Sequence, residues 1–468
     1  MNRFLLIGLD CLGADVLREP LAAGLPNLAR LAECGPHGVL RSTLPPITVP
    51  AWTTMLSGRD PGELGVYGFR NRRTYGYDDL VRATSEFVRH PRLWDLMTAA
   101  GRPSVVVGVP QTSPPPALLG ALVTGFEGPL NPAGVYTQPP ELADEVSDVV
   151  GEYLFDVPEF RSASLPDVRD TVYAMTERRF RLMRHLLATR DWQFAMLHEI
   201  GPDRMHHCFW SFHDPAHPRH QPGSAHAGAI TDYYRFLDAR LGELLAEVPA
   251  EVTVLVASDH GATAMHGGIC VNEMLREAGL LTLRAEPSEP VTLTSDLVDW
   301  SRTSAWAEGG YYSRIFLNLA GREPQGTVAP QQRDQLVERI SELFTTIELG
   351  DGRTLHNRVV EPRQLYRRVR GLPPDLMLFF DAEHWRAVGS LGHGRRWVSS
   401  NDTGVDEANH TRAGMYALRP PHARPGQGSW QDASILDVLP TALSVLGLEP
   451  DDTLPGRDLL ARLAGVQR

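Results

Sequence analysis

The stretch Phe4-Leu5-Leu6-Ile7-Gly8-Leu9-Asp10 is a short, unbroken apolar run that ends on a carboxylate. Four similar runs follow it along the chain, at 104–109, 193–198, 252–257 and 375–380. Unbroken apolar runs of this length are typical of strands in a parallel sheet whose two faces are both covered. We therefore expect the first four runs to form a central sheet and the fifth to return the chain to it.

Segments with helical periodicity lie between these runs. One of them carries a single apolar stripe, because its apolar residues recur after four, three, four and three positions. The residues of the stripe are Ile230, Tyr234, Leu237, Leu241 and Leu244. The segment 167–189 is a second long helix candidate. The alternation of strands and helices predicts an α/β fold with a central, mostly parallel sheet and helices on both faces.

The composition and the apolar pattern of the sequence change between residues 287 and 371. Gly, Pro and polar residues there interrupt a possible strand at 315–319 and a possible helix at 332–346. A chain of 468 residues is long enough for one large core that carries an insertion. We interpret 287–371 as an inserted cap, and 1–286 together with 372–468 as the catalytic core.

The composition is that of an ordinary globular protein, with 42% hydrophobic and 22% charged residues. The formal net charge of −12 argues against a surface that binds a nucleic acid duplex or an anionic membrane, because either needs a basic face. All 45 basic residues are arginines. The absence of lysine excludes lysine-based Schiff-base and phosphate-loop chemistry.

The cysteines and the apolar runs together bear on the cellular compartment. The four cysteines show no paired spacing, which predicts free thiols in a reducing environment. No apolar run approaches the roughly 20 residues of a membrane span. The run at 4–9 is short and ends on Asp10 without a small-residue cleavage site, so a signal peptide is not indicated. A cytoplasmic location is the expectation.

Aspartate and histidine side chains follow three of the predicted strands at the point where each strand ends. Asp10 closes the first run, and Asp259 and His260 follow the fourth. Asp203 and His207 come after the third run, and their spacing puts both on one side of a helical turn. In open α/β sheets, ligands bind outside the carboxyl ends of the strands. We therefore expect these side chains to converge at one edge of the sheet.

This mixed set of donors indicates a metal site. Sets of aspartate and histidine favour zinc, with manganese or iron less favoured. Taken singly, an aspartate after a strand is most often a helix cap, and an aspartate four residues before a histidine is most often a surface pair. Three such features after three strands are much harder to explain without a shared function.

The candidate nucleophile is a threonine in a proline-rich segment, Pro45-Pro46-Ile47-Thr48-Val49-Pro50. The prolines keep the residues before them out of the helical region, and Pro50 suits a first helical turn. Thr48 would then lie at a helix N-terminus, where free amides and the helix dipole favour an anion. Taken alone, a threonine in this position is more often a helix cap.

Five groups of residues occur in a characteristic order. They are Gly8-Leu9-Asp10; 44–58 with Pro61-Gly62-Glu63-Leu64-Gly65; Asp203-Arg204-Met205-His206-His207; Ser258-Asp259-His260-Gly261; and Asn409-His410-Thr411-Arg412-Ala413-Gly414. In this order they resemble the motifs of the type I phosphodiesterase/nucleotide pyrophosphatase branch of the alkaline phosphatase superfamily. The resemblance extends from residue 4 to Ile435-Leu436-Asp437-Val438-Leu439-Pro440-Thr441 and is thin over the cap.

The resemblance implies two divalent metal ions, with Thr48 as nucleophile, and the aspartate and histidine donors favour zinc over manganese as these ions. One ion would be held by Asp203, His207 and His410, and the other by Asp10, Asp259, His260 and the Thr48 oxygen. From spacing alone, His393 is a rival for the place of His410. The order of the family's motifs, and the Gly414-Met415-Tyr416-Ala417-Leu418 run that follows, favour His410.

One position departs from the family's pattern. Relatives that cleave nucleotides carry an asparagine after the nucleophile helix that contacts a phosphoryl oxygen. The matching residue here is Phe69, and Asn71 or a nearby arginine such as Arg70 could substitute for it. This departure leaves the choice between diester and monoester substrates open.

Three functions remain in competition. The first is a two-metal phosphodiesterase or nucleotide pyrophosphatase that forms a covalent phospho-enzyme-type intermediate on Thr48. The second is a phosphomonoesterase, phosphonate hydrolase or phosphotransferase on the same fold. The third is a catalytically silent binding protein, although none of the seven implied metal-site positions is missing. The expected partner is a small phosphate ester or nucleotide-type molecule, and the sequence indicates no oligomeric state.

Overall fold

The computed structural model describes residues 2–18, 24–129 and 134–463. Its strands are β1 (Phe4–Leu9), β2 (Pro36–Arg41), β3 (Arg70–Arg72), β4 (Leu80–Arg82), β5 (Ser104–Val107), β6 (Gly120–Val123), β7 (Thr137–Gln138), β8 (Phe194–Glu199), β9 (Thr253–Ala257), β10 (Gly261–Ala264), β11 (Gly267–Cys270), β12 (Ala305–Glu308), β13 (Ser313–Leu317), β14 (Thr346–Glu348), β15 (Thr354–His356), β16 (Arg358–Val360), β17 (Leu376–Phe379), β18 (Trp385–Val388), β19 (Trp397–Val398), β20 (Ala408–Thr411), β21 (Ala413–Arg419), β22 (Ser429–Trp430) and β23 (Ala433–Ser434).

Its α-helices are α1 (Pro26–Ala32), α2 (Thr48–Ser57), α3 (Pro61–Leu64), α4 (Leu93–Ala99), α5 (Leu142–Val150), α6 (Leu165–Thr189), α7 (Gly201–His213), α8 (Ala229–Glu247), α9 (Val271–Glu277), α10 (Arg333–Thr345), α11 (Pro362–Leu365), α12 (Val438–Leu446) and α13 (Leu459–Leu463). Within the described ranges, no helix combines the length and the apolar character that crossing a membrane requires.

Ten of these strands form one large sheet. Its order is β22-β2-β21-β9-β1-β8-β5-β6-β7, with β23 beside β2. Strands β9, β1, β8, β5 and β6 run parallel to one another, whereas β21 and β7 run antiparallel to their neighbours. The prediction of a central, mostly parallel sheet is confirmed.

Both faces of the central sheet are covered by helices. On β1, Phe4 and Leu6 belong to one hydrophobic cluster, which includes residues of α2, α4 and α12. Leu5 and Ile7 belong to another, which includes residues of α6, α7 and α8. All four side chains are fully buried, which is why β1 is apolar at every position instead of at alternate ones.

The later elements of the core agree with the sequence pattern to within two residues at most of their ends. The runs at 104–109 and 252–257 contain β5 and β9, and the run at 193–198 overlaps β8, which ends one residue later at Glu199. Helix α6 begins two residues before the predicted segment and ends with it. Helix α8 buries the predicted apolar stripe together with Tyr233.

The fifth apolar run does not return to the central sheet, so that prediction is wrong. Strand β17 pairs antiparallel with β13 and with β16, in a separate sheet of order β12-β13-β17-β16. Leu376 and Leu378 pack into one hydrophobic cluster, whereas Met377 and Phe379 pack into another. Because both faces of this strand are buried, its sequence has the same unbroken apolar character as a strand of the parallel core.

The smaller sheet packs on helix α10 around a hydrophobic cluster of its own. Residues of this cluster occur from Ile269 to Leu391, so it extends beyond 287–371 on both sides. The predicted strand at 315–319 lies two residues later than β13, and the predicted helix at 332–346 contains α10. The division of the chain into core and cap stays a prediction.

Candidate metal centre

Three neighbouring strands bring the candidate ligands to one edge of the central sheet. Strand β1 lies between β8 and β9 and runs parallel to both. Asp10 directly follows β1, and Asp259 comes two residues after β9. Helix α7 begins two residues after β8 and carries Asp203 and His207 one turn apart. The expected convergence is observed because parallel strands end on the same side of a sheet.

Asp203, His207 and His410 form the first group of donors. His207 Nε2 lies 3.1 Å from Asp203 Oδ1 and 3.0 Å from His410 Nε2. His410 Nε2 lies 3.3 Å from the same Asp203 oxygen. His410 reaches the group on β20, which pairs antiparallel with β10, the strand that directly follows His260.

Asp10, Asp259 and His260 form the second group. His260 Nε2 lies 3.2 Å from Asp259 Oδ2 and 3.5 Å from Asp10 Oδ1. The three side chains are completely buried. The rings of His260 and His410 stack with centroids 3.8 Å apart, so the two groups are adjacent.

All three histidines are oriented by an oxygen atom on their Nδ1 side. His207 Nδ1 lies 2.7 Å from Asp406 Oδ1, His260 Nδ1 lies 3.2 Å from the Gly261 carbonyl, and His410 Nδ1 lies 2.9 Å from the Pro46 carbonyl. An Nδ1 that donates to oxygen leaves the Nε2 lone pair free, which is the arrangement of histidine ligands in metal sites.

Burial keeps these imidazole rings neutral. It lowers the pKa of His260 to about 3 and that of His410 to about 4, and it also lowers the pKa of His207. A metal ion binds the neutral ring, because only that form offers a lone pair. The protonation state of the three histidines therefore fits metal binding near neutral pH.

The carboxylates of the second group also fit a cation. Asp10 Oδ1 and Asp259 Oδ2 are buried without a hydrogen-bond donor. Burial, followed by repulsion from Asp10, raises the pKa of Asp259 well above its usual range. Unpaired carboxylate oxygens are costly to bury, and a divalent ion removes that cost. The residues present thus fit two metal ions held by mixed oxygen and nitrogen donors.

The second oxygen of Asp10 is fixed by two neighbours. Trp52 Nε1 donates a hydrogen bond of 2.8 Å to Asp10 Oδ2, and His198 Nε2 lies 2.9 Å from the same atom. His198 Nδ1 in turn lies 3.0 Å from the Gly108 carbonyl. These contacts hold the carboxylate so that Oδ1 faces Asp259 and His260, as neighbours of metal ligands commonly do.

Thr48 is the first residue of helix α2, and the helix-capping position before it is taken by Ile47. The buried Thr48 Oγ1 lies 3.5 Å from His260 Nε2. The hydroxyl therefore lies beside the second group of donors, at the N-terminal end of a helix, where an anion is favoured. The interpretation of Thr48 as a helix cap is not supported by this geometry.

The three predicted substrate contacts lie at the start of β3 and directly before it, and they differ in their surroundings. Phe69 packs edge-on against Phe126, with ring centroids 5.8 Å apart. Asn71 is buried, accepts a hydrogen bond from the Tyr67 amide and donates one to the Gly68 carbonyl. Both ends of its side-chain amide are therefore already engaged within the protein. The Arg70 side chain is exposed. The roles of Phe69, Arg70 and Asn71 stay predictions.

The rival histidine lies elsewhere. His393 Nε2 lies 2.8 Å from Ser390 Oγ, and the His393 amide donates to Glu273 Oε1. Neither group of donors includes it. The structure therefore brings His410, and not His393, to the candidate ligands.

Sequence reasoning did not identify several residues of the centre. Tyr311, in the turn between β12 and β13, stacks on His410 with centroids 3.7 Å apart, and its hydroxyl lies 3.1 Å from His207 Nε2. Asp406 orients His207. Cys11 places its sulfur among the donor atoms. The position of Cys11 beside Asp10 was the one available signal, since Tyr311 and Asp406 lie far along the chain from the ligands they contact.

Three arginines contact residues of the centre, and each is paired with a carboxylate. Arg204 donates to Asp203 and forms a two-pronged contact with Asp156. Arg161 and Arg386 share Asp406.

The fold and this centre define a metal-dependent hydrolase of phosphate esters in the alkaline phosphatase superfamily. The chain belongs to the type I phosphodiesterase/nucleotide pyrophosphatase family, whose sequence profile matches residues 4–410. This match confirms the resemblance that the motifs indicate. The family is one of two-metal enzymes, and the two groups of donors supply candidate ligands.

Solved structures of similar fold cover nearly the whole chain. An inactive form of murine ectonucleotide pyrophosphatase/phosphodiesterase 5 in complex with AMP is 13% identical with a TM-score of 0.56, over 98% of this chain and 97% of that chain. The human protein of the same name gives the same values. Phosphonoacetate hydrolase from Sinorhizobium meliloti, in complex with phosphonoformate, is 16% identical with a TM-score of 0.61, over 95% and 96%. These identities show the fold. No curated protein matches the chain in sequence.

Proposed function

We propose that this protein hydrolyses phosphodiesters or pyrophosphates, with Thr48 as the attacking group. The observation that carries the proposal is the position of Thr48 Oγ1, which is 3.5 Å from His260 Nε2 beside the second group of donors. A hydroxyl at a helix N-terminus and next to metal ligands is suited to attack phosphorus. The closed, buried surroundings strengthen every electrostatic contact made there.

In this proposal, Asp203, His207 and His410 hold one divalent ion, and Asp10, Asp259, His260 and the Thr48 oxygen hold the other. Zinc is the ion that three histidines and three aspartates favour most, with manganese second. Two bound ions would lower the pKa of the threonine hydroxyl and neutralise charge on the phosphoryl group.

The reaction would proceed in two displacements at phosphorus. The Thr48 hydroxyl releases its proton to solvent, Oγ attacks the phosphorus atom, and the bond from phosphorus to the leaving oxygen breaks. The product is a phosphothreonine ester, and the leaving group departs as an alcohol or phosphate once it takes up a proton. Water then attacks the phosphothreonine, which releases the phosphate product and restores the hydroxyl. Trp52 and His198 would keep Asp10 in its orientation throughout.

The charges near the centre support a diester over a monoester. A monoester dianion usually needs an added positive group on its non-bridging oxygens. Arg204 is occupied by Asp203 and Asp156, and Arg161 and Arg386 are held on Asp406. Because these guanidinium groups already pair with carboxylates, they are poorly placed to bind a second phosphate charge.

The apolar wall near Thr48 supports the same choice. Ile47, directly before Thr48, packs in a cluster that also contacts Phe69 and Tyr311. A diester carries a second substituent that needs such a surface, whereas a monoester does not. We therefore propose that Phe69 and Tyr311 line the place of that substituent.

The test is a comparison of kcat/KM for matched aryl phosphate monoesters and diesters. The diester should be cleaved faster. A preference of tenfold or more for the monoester, about 1.4 kcal/mol in transition-state binding, would overturn the diesterase proposal. It would favour a monoesterase, a phosphonate hydrolase or a phosphotransferase on the same centre.

Metal analysis of the purified protein addresses the remaining alternative. Close to two ions per chain, lost together with activity on chelation and restored by zinc or manganese, is the expected result. A protein that retains no metal and no turnover would be a binding protein on this scaffold. The cytoplasmic location remains part of the proposal.

A further inference from the structure

Cys11 lies inside the candidate metal centre, directly after Asp10. Its backbone has a φ of 65°, in the left-handed region that residues with a side chain seldom adopt. The Cys11 amide donates a hydrogen bond of 3.2 Å to Asp259 Oδ1. This turn of the chain places a fully buried thiol next to two of the candidate ligands.

The Cys11 sulfur faces both groups of donors. Together with one donor atom each of Asp203, His260 and His410, it forms a set in which all atoms lie within 4.8 Å of one another. Asp203 and His410 belong to the first group and His260 to the second. The sulfur also lies 3.5 Å from the Gly261 carbonyl, to which the thiol donates a weak hydrogen bond, and the Asp203 carboxylate is a second acceptor beside it.

A second observation indicates that this space is built for a cation. Asp10 Oδ1 and Asp259 Oδ2, on either side of the Cys11 turn, are buried without a donor. A neutral thiol does not compensate the charge of these carboxylates, whereas a divalent ion held by the second group would. The left-handed backbone at Cys11 is a conformational cost that glycine would avoid.

We propose that Cys11 is a sulfur ligand of the metal centre, bound as thiolate between its two groups of donors. The proposal rests on the two-metal centre of the proposed function. Formation of the metal–sulfur bond releases the thiol proton to solvent, and no oxidant or reductant is involved. Thiolate is a strong ligand for zinc and a poor one for magnesium or calcium. Cys11 would thus make the centre selective for thiophilic ions.

The test replaces the native ions of the holoenzyme with Co²⁺ and records the absorption spectrum. Thiolate bound to Co²⁺ gives a charge-transfer band in the near ultraviolet, and bound Co²⁺ gives separate visible bands whatever its ligands. The wild-type protein should show both. Cys11→Gly should lose the near-ultraviolet band, keep the visible bands, and bind Co²⁺ at least roughly tenfold more weakly.

Two controls separate ligation from general effects. Glycine suits the φ of 65°, so Cys11→Gly should fold as well as the parent. Cys34→Ala removes another buried thiol, outside the donor groups, and should leave the spectrum unchanged.

Each outcome decides the matter. Visible bands without the near-ultraviolet band in the wild-type protein overturn the role of Cys11 and leave the two-metal centre intact. A near-ultraviolet band that persists in Cys11→Gly overturns it as well. Failure of the wild-type protein to bind Co²⁺ at all would overturn both this inference and the metal centre.

Discussion

Thr48 is held beside the second donor group by its place in helix α2, and its hydroxyl is the atom that the proposed reaction consumes. Replacing Thr48 by alanine should therefore lower kcat by roughly 10³-fold or more, in keeping with the loss of a covalent nucleophile. The metal content and the fold should change little, because six other side chains remain as ligands. Steady-state kinetics and metal analysis of the purified variant check this prediction.

Thr48→Ser is the matched control, since it keeps a hydroxyl at the same position and should retain much of the activity. Thr54→Val alters a buried hydroxyl farther along the same helix and should change the kinetics little. Activity of Thr48→Ala within about tenfold of the parent would mean that water attacks phosphorus directly. Thr48 would then have only a structural role at the N-terminus of helix α2.

The two rival histidines give a second prediction for single residues. His410→Ala should weaken metal binding by roughly 10–100-fold or more and remove most activity, because His410 Nε2 faces Asp203 and His207. His393→Ala should be mild, because His393 contacts Ser390 and Glu273 outside the donor groups. Metal titration of both variants decides between them. A larger loss of metal affinity in His393→Ala than in His410→Ala would show that His410 does not belong to the first group of ligands.

At the scale of elements, the turn between β12 and β13 places Tyr311 over the centre. Tyr311→Ala should lower kcat/KM for an aryl diester by roughly tenfold or more, because the ring that supports His410 and the substituent is lost. Tyr311→Phe should recover most of this loss if stacking dominates. Kinetics of the two variants, with metal content measured alongside, check the prediction.

The neighbouring Tyr312 is the control for this turn. Its hydroxyl donates a hydrogen bond to the Tyr67 carbonyl, within the hydrophobic cluster that also contains Ile47. Its ring stacks on Phe379, away from the donor groups. Tyr312→Phe should reduce stability slightly and leave kcat/KM unchanged. Equal kinetic losses in Tyr311→Ala and Tyr312→Phe would show that the turn acts only through its fold.

The position of a residue or strand could be predicted from the sequence where neighbouring residues determine it. Asp10 and Asp259 could be placed because each lies within two residues of the end of an apolar run, and the ends of parallel strands share one edge of the sheet. Asp203 and His207 could be paired because a helical turn fixes their spacing. Strand β17 was misplaced because burial of both its faces gives it the pattern of a core strand. Tyr311 carries no pattern at all, since its role depends on a turn that contacts a distant strand.

At the scale of the whole molecule, the centre brings together residues that lie between Asp10 and His410 in the sequence. The centre can therefore form only when the tertiary structure that joins these residues is complete. The motif order predicted which residues meet, because it resembles that of the family whose profile matches residues 4–410. It could not predict the neighbours that orient them. Asp406, Pro46 and His198 act through single contacts across the fold, and such contacts leave no periodic signal in the sequence.

The stability of the whole molecule should depend on pH through a buried histidine outside the donor groups. His206 lies on helix α7 next to a candidate ligand, and burial lowers its pKa to about 3. An unfolded chain holds the same ring at a pKa of about 6.5. The unfolded state therefore binds more protons below that pH, so the contribution of neutral His206 is complete above about pH 6.5. It is lost as the pH falls toward about 3.

A comparison with His206→Gln isolates this contribution, because all other titrating groups are shared. Between about pH 6.5 and about pH 5, the free energy of unfolding of the parent should fall by roughly 2 kcal/mol more than that of the variant. Urea unfolding with saturating metal measures both. Substituting the exposed His356 removes no buried ring and should leave the pH dependence of the parent intact. Parallel losses in the parent and in His206→Gln would mean that the buried ring is already protonated in the native protein, or that its neighbours compensate its charge.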